Sequence, residues 1–198
     1  MPDDILQQVD LVVGAVHYRF DLSRGRETER IFRAMENPCF NILAHPTGRL
    51  INSRPAYEVD LEKVISTARE NGCYLEVNAQ PARLDLTDTW CKLAKETGVR
   101  VAISTDAHST GGLDYMGFGV DQARRGWLEA GDVLNTRKLD DLRKQRAGEQ
   151  RRLDSAMAAL RGDLDRLAES YSMRMQQATE GDIASVAQAY SQSLATAL

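Results

Sequence analysis

Short apolar runs alternate with helix-patterned stretches through the first two thirds of this chain, and each run ends in polar residues. Asp10-Leu-Val-Val-Gly-Ala-Val16 reads as a buried strand, and Ser23 is placed to cap a helix carrying Glu27, Ile31, Phe32 and Met35. Phe40-Asn-Ile-Leu-Ala44 is the next strand, and Leu61, Val64, Ile65 and Ala68 follow at the spacing of one helix face. A third strand spans Gly72 to Asn78. A helix near Asp88 to Glu96 groups Trp90, Leu93 and Ala94, Gly98 ends it, and Val99 to Ser104 makes a fourth strand. The order β-α-β-α-β-α-β calls for parallel strands joined by right-handed crossovers, an α/β fold.

This pattern stops near residue 143. All five prolines, three cysteines, three histidines, two tryptophans and four phenylalanines of the 198 residues lie before residue 130. From Lys144 onward the chain is rich in Ala, Gln, Arg, Leu and Asp, with 7 basic and 7 acidic residues, the composition of long helices. Two units are therefore expected, 1–143 and 144–198. In the second, Leu153, Met157, Leu160, Leu164, Leu167, Tyr171, Met175 and Ala178 form an apolar helix stripe interrupted by Gly162. Gly181 breaks it, and Asp182 is placed to cap a further helix with Ile183, Val186, Ala187, Tyr190 and Leu194. A hairpin, a short coiled coil and a frayed extension all fit this tail.

The remaining composition narrows the class of function. A net charge of −4 argues against a non-specific nucleic-acid coat. No apolar run reaches membrane-span length, and the opening Met-Pro-Asp-Asp lacks the parts of a signal peptide, so a cytoplasmic address and no membrane partner are expected. Cys39, Cys73 and Cys91 are odd in number and far apart, which suits thiols packed as small hydrophobes better than a disulfide framework or zinc site.

The strand ends carry the chemistry. His17, His45, Asn78 with Gln80, and Asp106 with His108 each stand where a strand runs out, the rim on which parallel barrels build active sites. All three histidines fall there. Imidazole and carboxylate donors suit zinc, manganese or iron, and the lack of cysteine among them points to an open, water-bearing site. Asp106 and His108, at i and i+2, share one face of an extended segment. Arg49, Asn78 and Arg83 are candidates for gripping a substrate phosphate, and read equally well as surface ion pairs and a loop-fixing amide. Arg124 and Arg125 are weaker candidates, and Glu76 has no assigned role because its face depends on strand register.

Taken in order, Gly14-Ala-Val-His17, Phe20-Asp-Leu-Ser23, Ala44-His-Pro-Thr-Gly-Arg49, Leu75-Glu-Val-Asn-Ala-Gln-Pro81 through Leu86, Ile103-Ser-Thr-Asp-Ala-His-Ser109, Phe118-Gly-Val, Ala123-Arg-Arg-Gly-Trp127 and Val133-Leu-Asn135 closely resemble the PHP (polymerase and histidinol phosphatase) domain of bacterial family X DNA polymerases. The resemblance covers about residues 5 to 143. It implies a distorted TIM-like barrel of seven strand-helix units, of which this chain would hold the C-terminal part, and a cluster of up to three Mn2+ or Zn2+ ions. Carried over by motif, His17 and His45 would share one ion, Asp106 would bind a second and His108 a third. The activity implied is phosphoester hydrolysis, typically 3′-to-5′ exonuclease trimming of DNA ends in repair.

The family's opening His-x-His pair, two further histidines and a glutamate have no counterpart here, and Tyr18 stands where the family usually has serine. With mostly water in each coordination shell, weak metal binding and little phosphoesterase activity of the chain alone are expected, with His17 and His45 the best remaining site. An incomplete barrel also leaves an exposed edge, expected to self-associate or to receive the tail or a missing N-terminal half. Two alternatives stand beside this reading: a phosphatase acting on a phosphorylated small molecule such as histidinol phosphate, and a non-catalytic helical interaction protein.

Overall fold

A computed structural model describes residues 2–177, 188–189 and 191–193 of the chain. It divides into two compact units, Met1–Lys138 and Leu139–Leu198. The first opens with a single helical turn, α1 (Asp3–Leu6), and then builds strands β1 (Val13–Gly14), β2 (Ile42–Leu43), β3 (Tyr74–Asn78) and β4 (Val101–Ser104). Between and after them run α2 (Arg24–Met35), α3 (Leu61–Asn71), α4 (Asp88–Thr97) and α5 (Met116–Arg125). The strands form one parallel sheet in the sequential order β1-β2-β3-β4, as successive crossovers of one hand produce.

The helices form where the apolar spacing calls for them. Leu61, Val64, Ile65 and Ala68 of α3 are all buried, Asp60 caps its first turn by accepting from the Lys63 N–H, and Gly72 ends it at a left-handed φ of 68°. Gly98 ends α4 in the same way at φ 81°. On α4 the buried residues are Cys91 and Ala94, and Trp90 and Leu93 pack against the core from its margin. Each fully buried Leu, Ile or Val contributes about 1.5–3 kcal/mol relative to exposure, so this layer is a main source of stability.

The strands are shorter than the apolar runs. Around β1 the polar groups of the run turn to a side chain: the Val12 N–H donates to Asn41 Oδ1 at 2.8 Å, while Asn41 and Ile42 both donate to the Val12 carbonyl. Register places Leu43, Leu75 and Val101 side by side, and Val77 beside Ile103. Leu75 and Val77 are wholly buried in the core with α3 and α4 residues. Because side chains alternate along a strand, Glu76 and Asn78 point to the opposite face, where their row continues into Ala102 and Ser104.

The second unit holds α6 (Leu139–Gln177). Its expected stripe is uneven: Leu153, Met157 and Leu160 stand exposed, Leu164 and Leu167 are half-buried, and Tyr171 is buried. The Tyr171 hydroxyl lies 3.0 Å from the Ala189 carbonyl oxygen, to which it can donate, and 2.8 Å from Ser193 Oγ, so the helix is met by a later segment of the tail. The expected second helix based on Asp182, Ile183, Val186, Ala187, Tyr190 and Leu194 falls outside the described residues, as does Ala178. Among the described residues no helix is long and apolar enough to cross a membrane.

Candidate metal and phosphate site

His45 follows β2 at a φ of 30°, in the left-handed region that side chains other than glycine seldom adopt. Its N–H donates to Glu76 Oε2 at 2.6 Å, which ties the end of β2 to the middle of β3. The loop that continues from it is held from two sides. Asp85 Oδ2 accepts from the Thr47 N–H, the Thr47 hydroxyl and the Gly48 N–H, at 2.9, 2.9 and 3.0 Å. The Tyr57 hydroxyl donates to the Pro46 carbonyl at 2.6 Å. Gly48, at φ 60°, lies so close to the Tyr57 ring that a Cβ there would stand 2.4 Å from it, so only glycine fits.

The His45 ring is 4% exposed, and its Nδ1 is buried with no hydrogen-bond partner. Burial, and then the charge of Arg83, lower its pKa to about 4, so at neutral pH it is an uncharged imidazole. The exposed His17 ring stands edge-on to it, centroid to centroid 5.1 Å. Two imidazoles separated by about 30 residues of chain thus meet at adjacent strand ends. The unpartnered nitrogen of one and the open position of the other suit a divalent ion in donor type.

Asp106 follows β4 and also has a left-handed φ, 49°. Its Oδ2 accepts from Asn78 Nδ2 at 3.2 Å and pairs with Arg83 Nε at 3.3 Å. His108 is exposed, with Nδ1 2.7 Å from the Asp106 carbonyl oxygen. A carbonyl only accepts, so Nδ1 carries the hydrogen, and Nε2 is the ring nitrogen that could offer a lone pair to a ligand. Among the described residues, no three His, Cys, Asp or Glu groups stand together in metal-binding geometry. Asp106 is engaged by Arg83 and Asn78 instead.

The three phosphate candidates stand in different situations. Arg49 directs Nε to the Arg83 carbonyl at 2.7 Å and Nη2 to the Leu84 carbonyl, which makes it a brace for the loop of residues 80–85. Asn78 is wholly buried: its amide donates to Glu76 and Asp106 and accepts from the Gln80 N–H. Arg83 keeps capacity for a ligand, since its Nη1 is buried without a partner and its side chain is 16% exposed. Arg125 pairs with Asp88 and Arg124 with Asp121, both on the surface.

Glu76, without a role on sequence grounds, is the hub beneath this rim. It accepts from His45 N–H and from Asn78 Nδ2, and it meets Ser104 Oγ in a very short hydrogen bond. Asp85 and Thr47 were missed as well. The signal for Glu76 lay in the strand period: once Leu75 and Val77 face the core, Glu76 must face the same way as Asn78. Cys73 and Cys91, by contrast, are buried thiols whose pKa values burial raises to about 11 and about 12, as packed hydrophobes require.

No family model matches the chain. It is 44% identical over 140 residues to the DNA polymerase/3′-5′ exonuclease PolX of Bacillus subtilis, an alignment covering 71% of this chain and 25% of that protein. It is 32% identical over 117 residues to a probable phosphatase of Thermoanaerobacter sp., covering 54% of this chain and 45% of the relative, and 30% identical over 122 residues to one of Shewanella sp., covering 56% and 46%. The chain thus spans about a quarter of the PolX protein and under half of these phosphatases.

Proposed function

With its homology to PolX and to the probable phosphatases as premise, we propose that this chain carries part of a PHP-type metal-dependent phosphoesterase site that acts on 3′ ends of DNA. The observation that carries the reading is the meeting of His17 and His45, with His45 Nδ1 buried, uncharged and unpartnered. A buried polar atom left without a partner costs about 1–3 kcal/mol, and such an atom at a strand end suits a ligand position.

Each residue has a defined part in this reading. His17 and His45, beyond β1 and β2, would share one divalent ion, Mn2+ or Zn2+, and Asp106 and His108, beyond β4, would bind a second and a third. Bound there, the ion supplies charge for phosphate oxygens and lowers the pKa of a water. Glu76 fixes the His45 backbone, and Asn78 orients Asp106 from the same hub. Arg83 offers its free donor to a phosphate oxygen. Arg49 and Asp85 tie the loop of residues 45–49 to the loop of residues 80–85 and so fix the rim on which these side chains stand.

The test is metal content and Mn2+ affinity of the purified chain against His17→Ala and His45→Ala. Either substitution is expected to weaken binding by at least the roughly 10–100-fold that loss of a group supporting a ligand costs. Binding indifferent to both would overturn the reading. The similarity to probable phosphatases favours a second substrate class, a phosphorylated small molecule. Hydrolysis rates on a 3′ DNA end and on a phosphomonoester, compared in Mn2+, decide between the two.

A further inference from the structure

The rim carries an aromatic residue that phosphate chemistry does not use. Tyr18 directly follows His17 and is 69% exposed. Its place is nonetheless fixed: Arg30 Nη1 donates to the Tyr18 carbonyl at 3.2 Å, and the guanidinium stands 5.6 Å from the centroid of the Tyr18 ring. Arg30 is itself anchored, because Nη2 donates to both oxygens of the buried Glu27, at 2.6 and 2.7 Å. A ring whose backbone is held while its face meets water is ready to stack. Tyr18 and Arg30 both line the cavity of about 220 Å³ between β1 and α2, where the other walls include Gly14, Val16, Ile31 and Phe40. A Cβ at Gly14 would run into the Phe40 ring, so glycine is what lets that ring close against the strand.

The walls are therefore mostly apolar, and they include a guanidinium whose Nε is buried with no partner among the described residues. An apolar side chain from a partner protein would fill such a space and leave that donor unmet. A flat heteroaromatic ring with acceptors on its edge meets both demands, and a nucleobase is such a ring: bases stack on aromatic side chains and guanidinium planes and offer edge acceptors to donors. Position ties the cavity to the site. Val16 lines it, His17 meets His45 and Tyr18 lines it again, so it begins one residue, about 3.8 Å of chain, from the imidazole pair. We propose that this cavity receives the base of the nucleotide whose phosphate lies at the rim, with Tyr18 stacking on the base and Arg30 donating to its edge. The ring then selects the substrate class, a nucleotide at a strand end over a phosphorylated small molecule without a base.

This inference rests on the DNA-end reading above, and its test leaves metal out so that the two can fail separately. Fluorescence anisotropy in a chelating buffer compares a labelled short oligothymidylate with its abasic counterpart, the same sugar-phosphate chain without bases. The wild-type chain is expected to bind the base-bearing strand roughly tenfold more tightly. Tyr18→Ala is expected to abolish that preference, and Tyr18→Trp to keep it, because the larger ring stacks at least as well. Ala34→Leu, which fills the cavity from α2 and leaves Tyr18 in place, is expected to abolish it as well. Equal binding of the two strands by the wild type, or a preference that survives either Tyr18→Ala or Ala34→Leu, would overturn the base site while leaving the metal reading standing. A base preference kept by a chain that binds no Mn2+ would remove the metal reading alone. The wild-type comparison needs no variant, and Tyr18 is largely in solvent, so its replacement is expected to leave the fold intact.

Discussion

The two edges of the sheet are finished in opposite ways. Beyond β4 the chain returns to close the edge: Val133 bridges to Val101, and the Asn135 amide accepts from the Ile103 N–H at 3.1 Å and donates to its carbonyl at 2.8 Å. One side chain there imitates a strand. At β1 no such return is seen among the described residues. Val9, Leu11 and Val13, on one side of the alternation, are 50%, 53% and 52% exposed, and a cavity of about 220 Å³ opens beside the strand between Gly14, Tyr18, Ile31 and Phe40. An edge becomes a structural boundary when its peptide groups are answered and an adhesive surface when its apolar side chains are left in water.

The largest effect is expected at the closed edge. Asn135→Ala leaves the Ile103 N–H and carbonyl without their partners in a half-buried setting, and should cost about 1–3 kcal/mol of unfolding free energy, read by urea denaturation. A cost near zero would mean that the amide adds nothing to the closure, and the two edges would be alike after all.

An effect of middle size should belong to neither edge. Burial raises the Asp85 carboxyl from 3.8 to about 6, against the pull of the Thr47 and Gly48 donors and of Arg49. A group that binds its proton more tightly in the folded than in the unfolded chain stabilises the fold as pH drops through its folded pKa. Between pH 7 and pH 5 Asp85 should therefore add about 1 kcal/mol. Asp85→Asn should abolish that increment, and Asn135→Ala and Val13→Lys should retain it. Its loss in either edge variant would show that the edges and the strand-end loops do not melt independently.

The smallest stability change is expected at β1. Val13→Lys should shift unfolding by less than about 0.5 kcal/mol, since the side chain is already half in water. Sedimentation should respond instead: if the edge is adhesive, the wild type forms larger species as concentration rises and the lysine variant stays small. Identical sedimentation would remove the contrast between the edges as a property of the molecule in solution.

Much of this was legible in the residues. Helices α2, α3 and α4 lie within a few residues of their apolar spacing, from Ile31 and Met35 on α2 to Leu61, Val64, Ile65 and Ala68 on α3, because a helix face is a local property, whereas α1 and α5 had no counterpart in that reading. The strand ends were equally legible, since a run of apolar residues must stop where the chain leaves the core. The strands proved shorter than their runs, because a strand needs a neighbour and apolar sequence does not specify where pairing ends. On α6 the stripe is regular along its length but is buried only toward Tyr171, because burial requires a partner that periodicity does not name.

By itself the sequence determined the α/β order, the helix faces and the placing of His17, His45, Asp106 and His108 at strand ends. Tertiary structure alone decided that His17 meets His45, that Asp106 is held by Arg83 and Asn78, that Arg49 braces a loop, and that Glu76 turns toward the rim. The physical reason is range. Periods of two and of 3.6 residues are written in neighbouring residues, whereas a hydrogen bond between residues 45 and 76, or an ion pair between 83 and 106, depends on how separate strands register against one another.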